Sequence, residues 1–230
     1  MIDFQAAIFD LDGTLVDSMW IWDRLLVDFL AERGYETPQH ILNQVAYMTL
    51  KQSSAFIQKE YRLSMTPEEV CSTWTEMVYA YYAHQVRSKP GAPEYLRYLK
   101  QNGVKIGVAT ACTPALCEAA LSSNRMLDLI DCFTYADEVG KGKESPDVYL
   151  ECIRRLNVRP DETMIYEDIL TAVRSAKKAG LRVTAIEDAS AKSEREQIRQ
   201  EADLYIADFF ALLPGGRNTD NKAIHKKGGV

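Results

Sequence analysis

The chain has 230 residues, 47% hydrophobic and 26% charged, with a formal charge of −6. That is enough for a full core plus a small second unit, and the acidic balance speaks against a general nucleic-acid binder, which carries a basic surface. No apolar stretch approaches the roughly 20 residues of a membrane span, and the run near the start carries Asp3 and Asp10 without a basic leader, so neither a span nor a secretory signal is expected.

In chain order, Ala6 to Phe9 form a short apolar run suited to a strand buried on both faces of a parallel sheet. It ends in Asp10, Leu11, Asp12, Gly13 and Thr14. A strand followed by acid-x-acid-Gly places two carboxylates at the carboxyl edge of a sheet, where open α/β sheets take their ligands. Close carboxylates repel unless a cation lies between them or they share a proton, so the spacing implies a divalent ion or proton transfer. A polar turn capping the next helix, with Asp17 or Ser18 as N-cap, is the plainer alternative.

Trp22, Leu25, Leu26, Phe29 and Leu30 then recur at helical spacing, and Gly34 follows as a stop. Thr37-Pro38 reads as an N-cap with proline at the first helical position. Residues 50–61 fit another helix, and Thr66-Pro67-Glu68-Glu69 reads as a capping box opening a longer one, with Val70, Trp74, Met77, Val78 and Tyr81 on one face. Residues 19–88 thus read as all-helical, closed by Lys89-Pro90-Gly91.

From there helices and strands alternate. A helix near 93–102 precedes the apolar run from Val104 to Ala109, which ends at Thr110, and Thr113-Pro114 starts the next helix. Cys132 to Tyr135 reads as a strand, and Ser145-Pro146 opens a helix to about Leu156. Thr163 to Tyr166 is a strand ending in Glu167-Asp168; a helix to Ala179-Gly180, a strand from Arg182 to Ile186 and a weaker one from Leu204 to Ile206 follow. Repeated βα units predict an α/β fold, a Rossmann-like parallel sheet with right-handed crossovers. The expected layout is a core of residues 1–17 and 89–217, a helical cap of 18–88 over the ligand edge, and a disordered tail of 218–230.

The run from Asp10 to Ser18 also resembles the first motif of the haloacid-dehalogenase-like phosphohydrolases, on the branch of β-phosphoglucomutase and phosphoglycolate phosphatase. Three later stretches are similar to that family's other motifs in order: Thr110-Ala111, the run from Lys143 to Asp147, and Glu167-Asp168. The spacing of Asp10 and Asp12 does not rank them, but the resemblance implies Asp10 as nucleophile and Asp12 as general acid and base. It further implies Thr110 and Ala111 as phosphoryl contacts and Lys143, not Lys141, as the cation that screens the phosphate from Asp10. Mg²⁺ would be held by Asp10, the backbone carbonyl of Asp12 and Asp168, with Glu167 in support.

Glu144 stands where the family has proline, and is placed to compete for the charge of Lys143; Ile169 and Ala172 replace the serine and glycine that usually follow the acids. On the cap, Trp20 is expected to face the substrate with Trp22 packed inward, and Lys51 is a further candidate substrate contact.

The implied activity is hydrolysis of a small phosphomonoester through an aspartyl-phosphate. A sugar phosphomutase is an alternative, as is a non-catalytic phosphate-ligand-binding protein of the same fold. A mutase cap needs a cationic site for the distal phosphate, and the stretch from Gln44 to Ser53 holds only Lys51. The five cysteines, odd in number and without a C-x-x-C pair, fit reduced thiols in a cytoplasmic protein. The three scattered histidines do not suggest zinc. No nucleic-acid or membrane partner is expected, and a monomer is the default assembly.

Overall fold

The computed structural model describes residues 2–45, 48 and 50–216. Among these, six strands form one parallel sheet: β1 (Ala6–Phe9), β4 (Lys105–Thr110), β5 (Cys132–Tyr135), β6 (Thr163–Glu167), β7 (Arg182–Ile186) and β8 (Leu204–Ile206), in the order β5-β4-β1-β6-β7-β8. β1 is central, with Phe9 opposite Val108 on one side and Tyr166 on the other. Every residue of β1 is buried, as its unbroken apolar run requires.

Successive side chains of a strand face opposite ways, and β1 feeds two cores accordingly. Ala7 and Phe9 join the cluster built with α5 (Ala92–Gln101) and α6 (Pro114–Ser123). Ala6 and Ile8 join the cluster under α8 (Asp147–Leu156), α9 (Leu170–Lys178) and α10 (Arg195–Glu201). On the first face, Phe9 stacks on Tyr166 at 4.3 Å, and the Tyr166 hydroxyl meets that of Tyr95 at 2.6 Å. This packing fixes the last residues of β1 and β6, where both strands turn acidic.

The helices α1 (Trp20–Ala31), α2 (Gln39–Val45), α3 (Leu50–Glu60) and α4 (Pro67–His84) stand between two short strands, β2 (Val16–Asp17) and β3 (Arg87–Ser88). These pair antiparallel, Val16 with Ser88 and Asp17 with Arg87, so the chain leaves and rejoins the sheet side by side. The sequence pattern did not reveal this ribbon, because two-residue strands carry no periodicity. The end of α6 braces it: the Asn124 side chain accepts from the Ser88 amide at 2.7 Å and donates to the Val86 carbonyl at 3.1 Å. Behind it, Lys89 forms a buried ion pair with Asp188 at 2.6 Å.

The capping box of α4 forms as expected, with Thr66 and Glu69 satisfying each other's backbone amides. Thr37 does not cap; its buried hydroxyl has no hydrogen-bond partner. Trp22 corrects the sequence expectation: it is 52% exposed. The buried stripe of α1 runs through Ile21, Leu25 and Phe29 at four-residue spacing, and Trp22 stands one step round the helix from it. The short helix α7 (Ala136–Val139) and the helix α10 also went unpredicted. The tail expected to be disordered lies outside the described residues.

Candidate active site

The carboxyl ends of β1, β4 and β6 converge where the chain order reverses about β1, the place where open α/β sheets bind ligands. The Asp10 amide donates to the Tyr166 carbonyl at 3.0 Å, extending the β1–β6 ladder by one residue and setting Asp10 beside Glu167 and Asp168. Carboxylate oxygens of these three buried residues lie within 4.8 Å of one another. Gly13, at φ +79°, turns the chain back against Asp168, where a Cβ would run into the carboxylate. The next residue, Thr14, donates its hydroxyl to Asp168 Oδ1 at 2.9 Å.

Among the described residues, one cation enters this cluster. Lys143, in the loop between α7 and α8, pairs with Asp10 and, at 2.6 Å, with Glu167. Burial pulls the ammonium pKa down, but the two carboxylates more than offset it and hold it above its ordinary value. Ser175 on α9 anchors the loop by donating to the Lys143 carbonyl at 2.7 Å. Glu167 also accepts from the Tyr149 hydroxyl at 2.6 Å. Burial, opposed by Lys143, pushes its pKa up to about 7. Lys141 is exposed and pairs with Asp147 at 3.3 Å. Glu144 does not compete for Lys143; its carboxylate accepts from the Gly142 amide at 3.2 Å, within its own loop.

Asp12 has a different environment. Its Oδ1 accepts from Ser18 at 2.6 Å and from Tyr82, near the end of α4, at 2.5 Å. Burial first, and the charge of Asp10 second, raise its pKa. Its side chain is outside the three-carboxylate group. Thr110, buried at the end of β4, accepts the Cys112 amide at 3.0 Å and keeps its own proton to donate. Ala111 follows it, exposed.

Trp20 is at the base of α1, its indole donating to the Asp17 carbonyl at 2.9 Å and its ring edge-on to Tyr81 at 5.6 Å. Lys51 is exposed in the first turn of α3, and none of the contacts described joins it to the cluster. Ala46, Tyr47 and Thr49, part of the cap stretch compared with mutases, lie outside the described residues. Sequence reasoning missed Tyr82, Tyr149 and Ser175, which reach the site from distant helices without a local signal. Ser18 and Thr14 stood inside the quoted motif and were given no such role.

The donor set fits a hard divalent cation. Three buried carboxylates stand together, Lys143 pairs with only two of them, and Asp168 Oδ2 is buried without a hydrogen-bond partner. The haloacid dehalogenase-like hydrolase family model matches residues 7–186. The chain belongs to that family. A bifunctional riboflavin kinase/FMN phosphatase of Arabidopsis thaliana is 29% identical over 185 residues, 79% of this chain and 48% of that protein. The chain thus spans about half the length of that relative. A validoxylamine A 7'-phosphate phosphatase of Streptomyces hygroscopicus is 29% identical over 209 residues, covering 86% of this chain and 94% of the other. A solved structure of a candidate β-phosphoglucomutase from Thermotoga maritima superposes with a TM-score of 0.75 at 21% identity, over 88% of this chain and 94% of that one, and shares the fold.

Proposed function

We propose that this protein is a divalent-metal-dependent phosphatase that hydrolyses a small phosphomonoester through an aspartyl-phosphate on Asp10. The observation that carries this reading is the buried Lys143 pairing with Asp10 beside Glu167 and Asp168, at the sheet edge. The phosphatase activities named for the two relatives support it. Asp10 attacks phosphorus in line with the leaving oxygen, and Asp12, whose raised pKa favours the protonated form, gives its proton to that oxygen. Asp12 then takes a proton from the water that attacks the aspartyl-phosphate, which frees Asp10 and releases phosphate. Lys143 and the Thr110 hydroxyl, with the backbone beside Ala111, hold the phosphoryl oxygens, where positive charge and aimed donors stabilise the transition state.

A divalent ion, Mg²⁺ in our reading, would be held by Asp10, the Asp12 carbonyl and Asp168 with Glu167 in support, and would supply positive charge that draws the phosphate onto Asp10. Residues 18–88 act as a cap that covers the site, with Trp20 and Lys51 as its substrate-side candidates. A cytoplasmic location is part of the same reading; no described helix is long and apolar enough to cross a membrane.

Phosphate release from an aryl phosphate with Mg²⁺ tests the proposal. Asp10→Asn should abolish turnover while the chain still unfolds in one cooperative transition, because an amide does not replace the attacking carboxylate. Native-like turnover in that variant would remove the mechanism. With β-glucose 1-phosphate and a bisphosphate primer, free phosphate should form faster than glucose 6-phosphate; the reverse would make the chain a mutase.

A further inference from the structure

Two cysteines outside the site meet across a gap left by a glycine. Cys132 on β5 stands in register with Gly107 on β4. Paired residues of a parallel ladder project to the same face, about 5 Å apart. Gly107 fills none of that space, and the Cys152 sulfur of α8 takes it, so that a Cβ on Gly107 would strike Sγ. Both sulfurs therefore belong to the α8 side of the β4–β5 pair, and the Cys132 thiol donates to its neighbouring Phe133 carbonyl at 3.6 Å. Cys152 is buried and Cys132 only partly, so Cys132 is the member of the pair nearer solvent.

We propose that Cys132 and Cys152 are a reversible oxidation site, closed to a disulfide by a hydroperoxide. The Cys132 thiolate attacks one oxygen of hydrogen peroxide; the O–O bond breaks, and the departing hydroxide takes a proton to leave as water. The Cys152 thiol then attacks the Cys132 sulfenic acid, forming the S–S bond and expelling a second water with the thiol proton. Two electrons pass from the sulfurs to the peroxide. The bond ties α8, the helix that sets Tyr149 on Glu167, to the edge strand β5.

The local chemistry favours this pair over Cys112 and Cys117. The neighbouring Cys152 thiol leads in holding the Cys132 pKa down to about 7, with Arg155 assisting. Burial pushes Cys112 far up and Cys117 up to about 12, which leaves both poorly nucleophilic.

The inference does not rest on the phosphatase reading, and its test needs no turnover. The reduced full chain is treated with hydrogen peroxide, alkylated, unfolded, digested and mapped by mass. The expected result is two fewer of the five thiols alkylated and one cross-linked peptide joining Cys132 to Cys152, both reversed by dithiothreitol. In Cys152→Ala, Cys132 should accumulate as a sulfenic acid that dimedone traps. Cys132 passing to sulfinic acid while Cys152 remains alkylatable, or oxidation of the other thiols with Cys132 spared, would overturn the proposal.

Discussion

Lys143→Met removes the cation that pairs with two of three buried carboxylates and keeps comparable side-chain length. The Lys143 and Glu167 side chains are 9% and 0% exposed and their charges stand 2.6 Å apart. At an effective dielectric of about 20 that attraction is about 6 kcal/mol before desolvation is counted. Removing one partner of such a buried pair costs about 3–5 kcal/mol net. For a chain this size, with about 2–4 °C per kcal/mol, the melting temperature of metal-free protein should fall by roughly 6–20 °C.

The deficit should depend on pH in a definite direction. Glu167 has a folded pKa of about 7, raised from its ordinary 4.5. A raised carboxyl binds its proton more tightly when folded, so its contribution is complete below the ordinary value and is lost as pH rises towards neutrality. Without Lys143 that pKa rises further, and the variant should lag the native chain most at about pH 8 and least at about pH 5. Scanning calorimetry in EDTA reads both differences, and phosphate release should fall by about 10²–10³. Equal melting temperatures at both pH values would refute the electrostatic account of the cluster.

Gly13→Ala forces a Cβ at φ +79° into the Asp168 carboxylate. It should cost about 1–3 kcal/mol and shrink the stabilisation that Mg²⁺ gives in a thermal melt; an unchanged Mg²⁺ response would separate Asp168 from cation binding. Asp188→Asn breaks the buried pair with Lys89 and should cost about 3–5 kcal/mol at neutral pH. Burial works to raise the Asp188 pKa, but hydrogen bonds from Lys89 and Ser190 outweigh it and hold the carboxyl below its ordinary range. Native stability from this group is therefore present at neutral pH and lost as acid takes the pH below that range, so native and variant melts should converge there. Tyr82→Phe removes a hydrogen bond that lowers the Asp12 pKa. The alkaline limb of the kcat profile should move to higher pH, and a change of KM alone would show that Tyr82 acts on substrate and not on the acid.

The parts of the fold readable in the sequence were those written in short-range pattern. β1, β4, β6 and β7 are apolar runs with a polar residue at the carboxyl end, and the capping box of α4 is four consecutive residues. Asp10, Thr110, Lys143 and Asp168 were found through strand ends and motif order, and the structure gathers Asp10, Lys143, Glu167 and Asp168 at one edge. What escaped was set by long-range contact. The ribbon of β2 and β3 exists because two chain passages meet, not because Val16-Asp17 or Arg87-Ser88 favours a strand. Tyr149 and Ser175 serve the site from helices whose periodicity reports only their buried faces. Trp22 was misread because helical spacing alone gives the width of an apolar stripe, not which edge of it the neighbouring helix covers.

The two acids of the first motif show how a fold can give neighbours different surroundings. Asp10 prolongs the β1 ladder, so its side chain stays over the sheet edge and is claimed by Lys143. Leu11 is buried, and beyond it the tight turn at Gly13 carries the chain out of the sheet. Asp12 is thereby aimed at Ser18 and Tyr82. One carboxylate is tied to a cation and the other to two hydroxyls in a buried setting, a contrast that suits the nucleophile and acid roles proposed above. Tyr82 belongs to α4, inside the helical insert, whereas Asp12 belongs to the loop of the sheet. Any displacement of α4 from α6 would therefore remove a donor from Asp12 and admit water to it. These two changes oppose each other: a lost hydrogen bond raises the carboxyl pKa, while solvation lowers it. Burial is the largest influence on Asp12, so solvation should win and opening should ionise the acid. On the proposed mechanism, closure of the insert would then favour the protonated form of Asp12 that leaving-group departure requires.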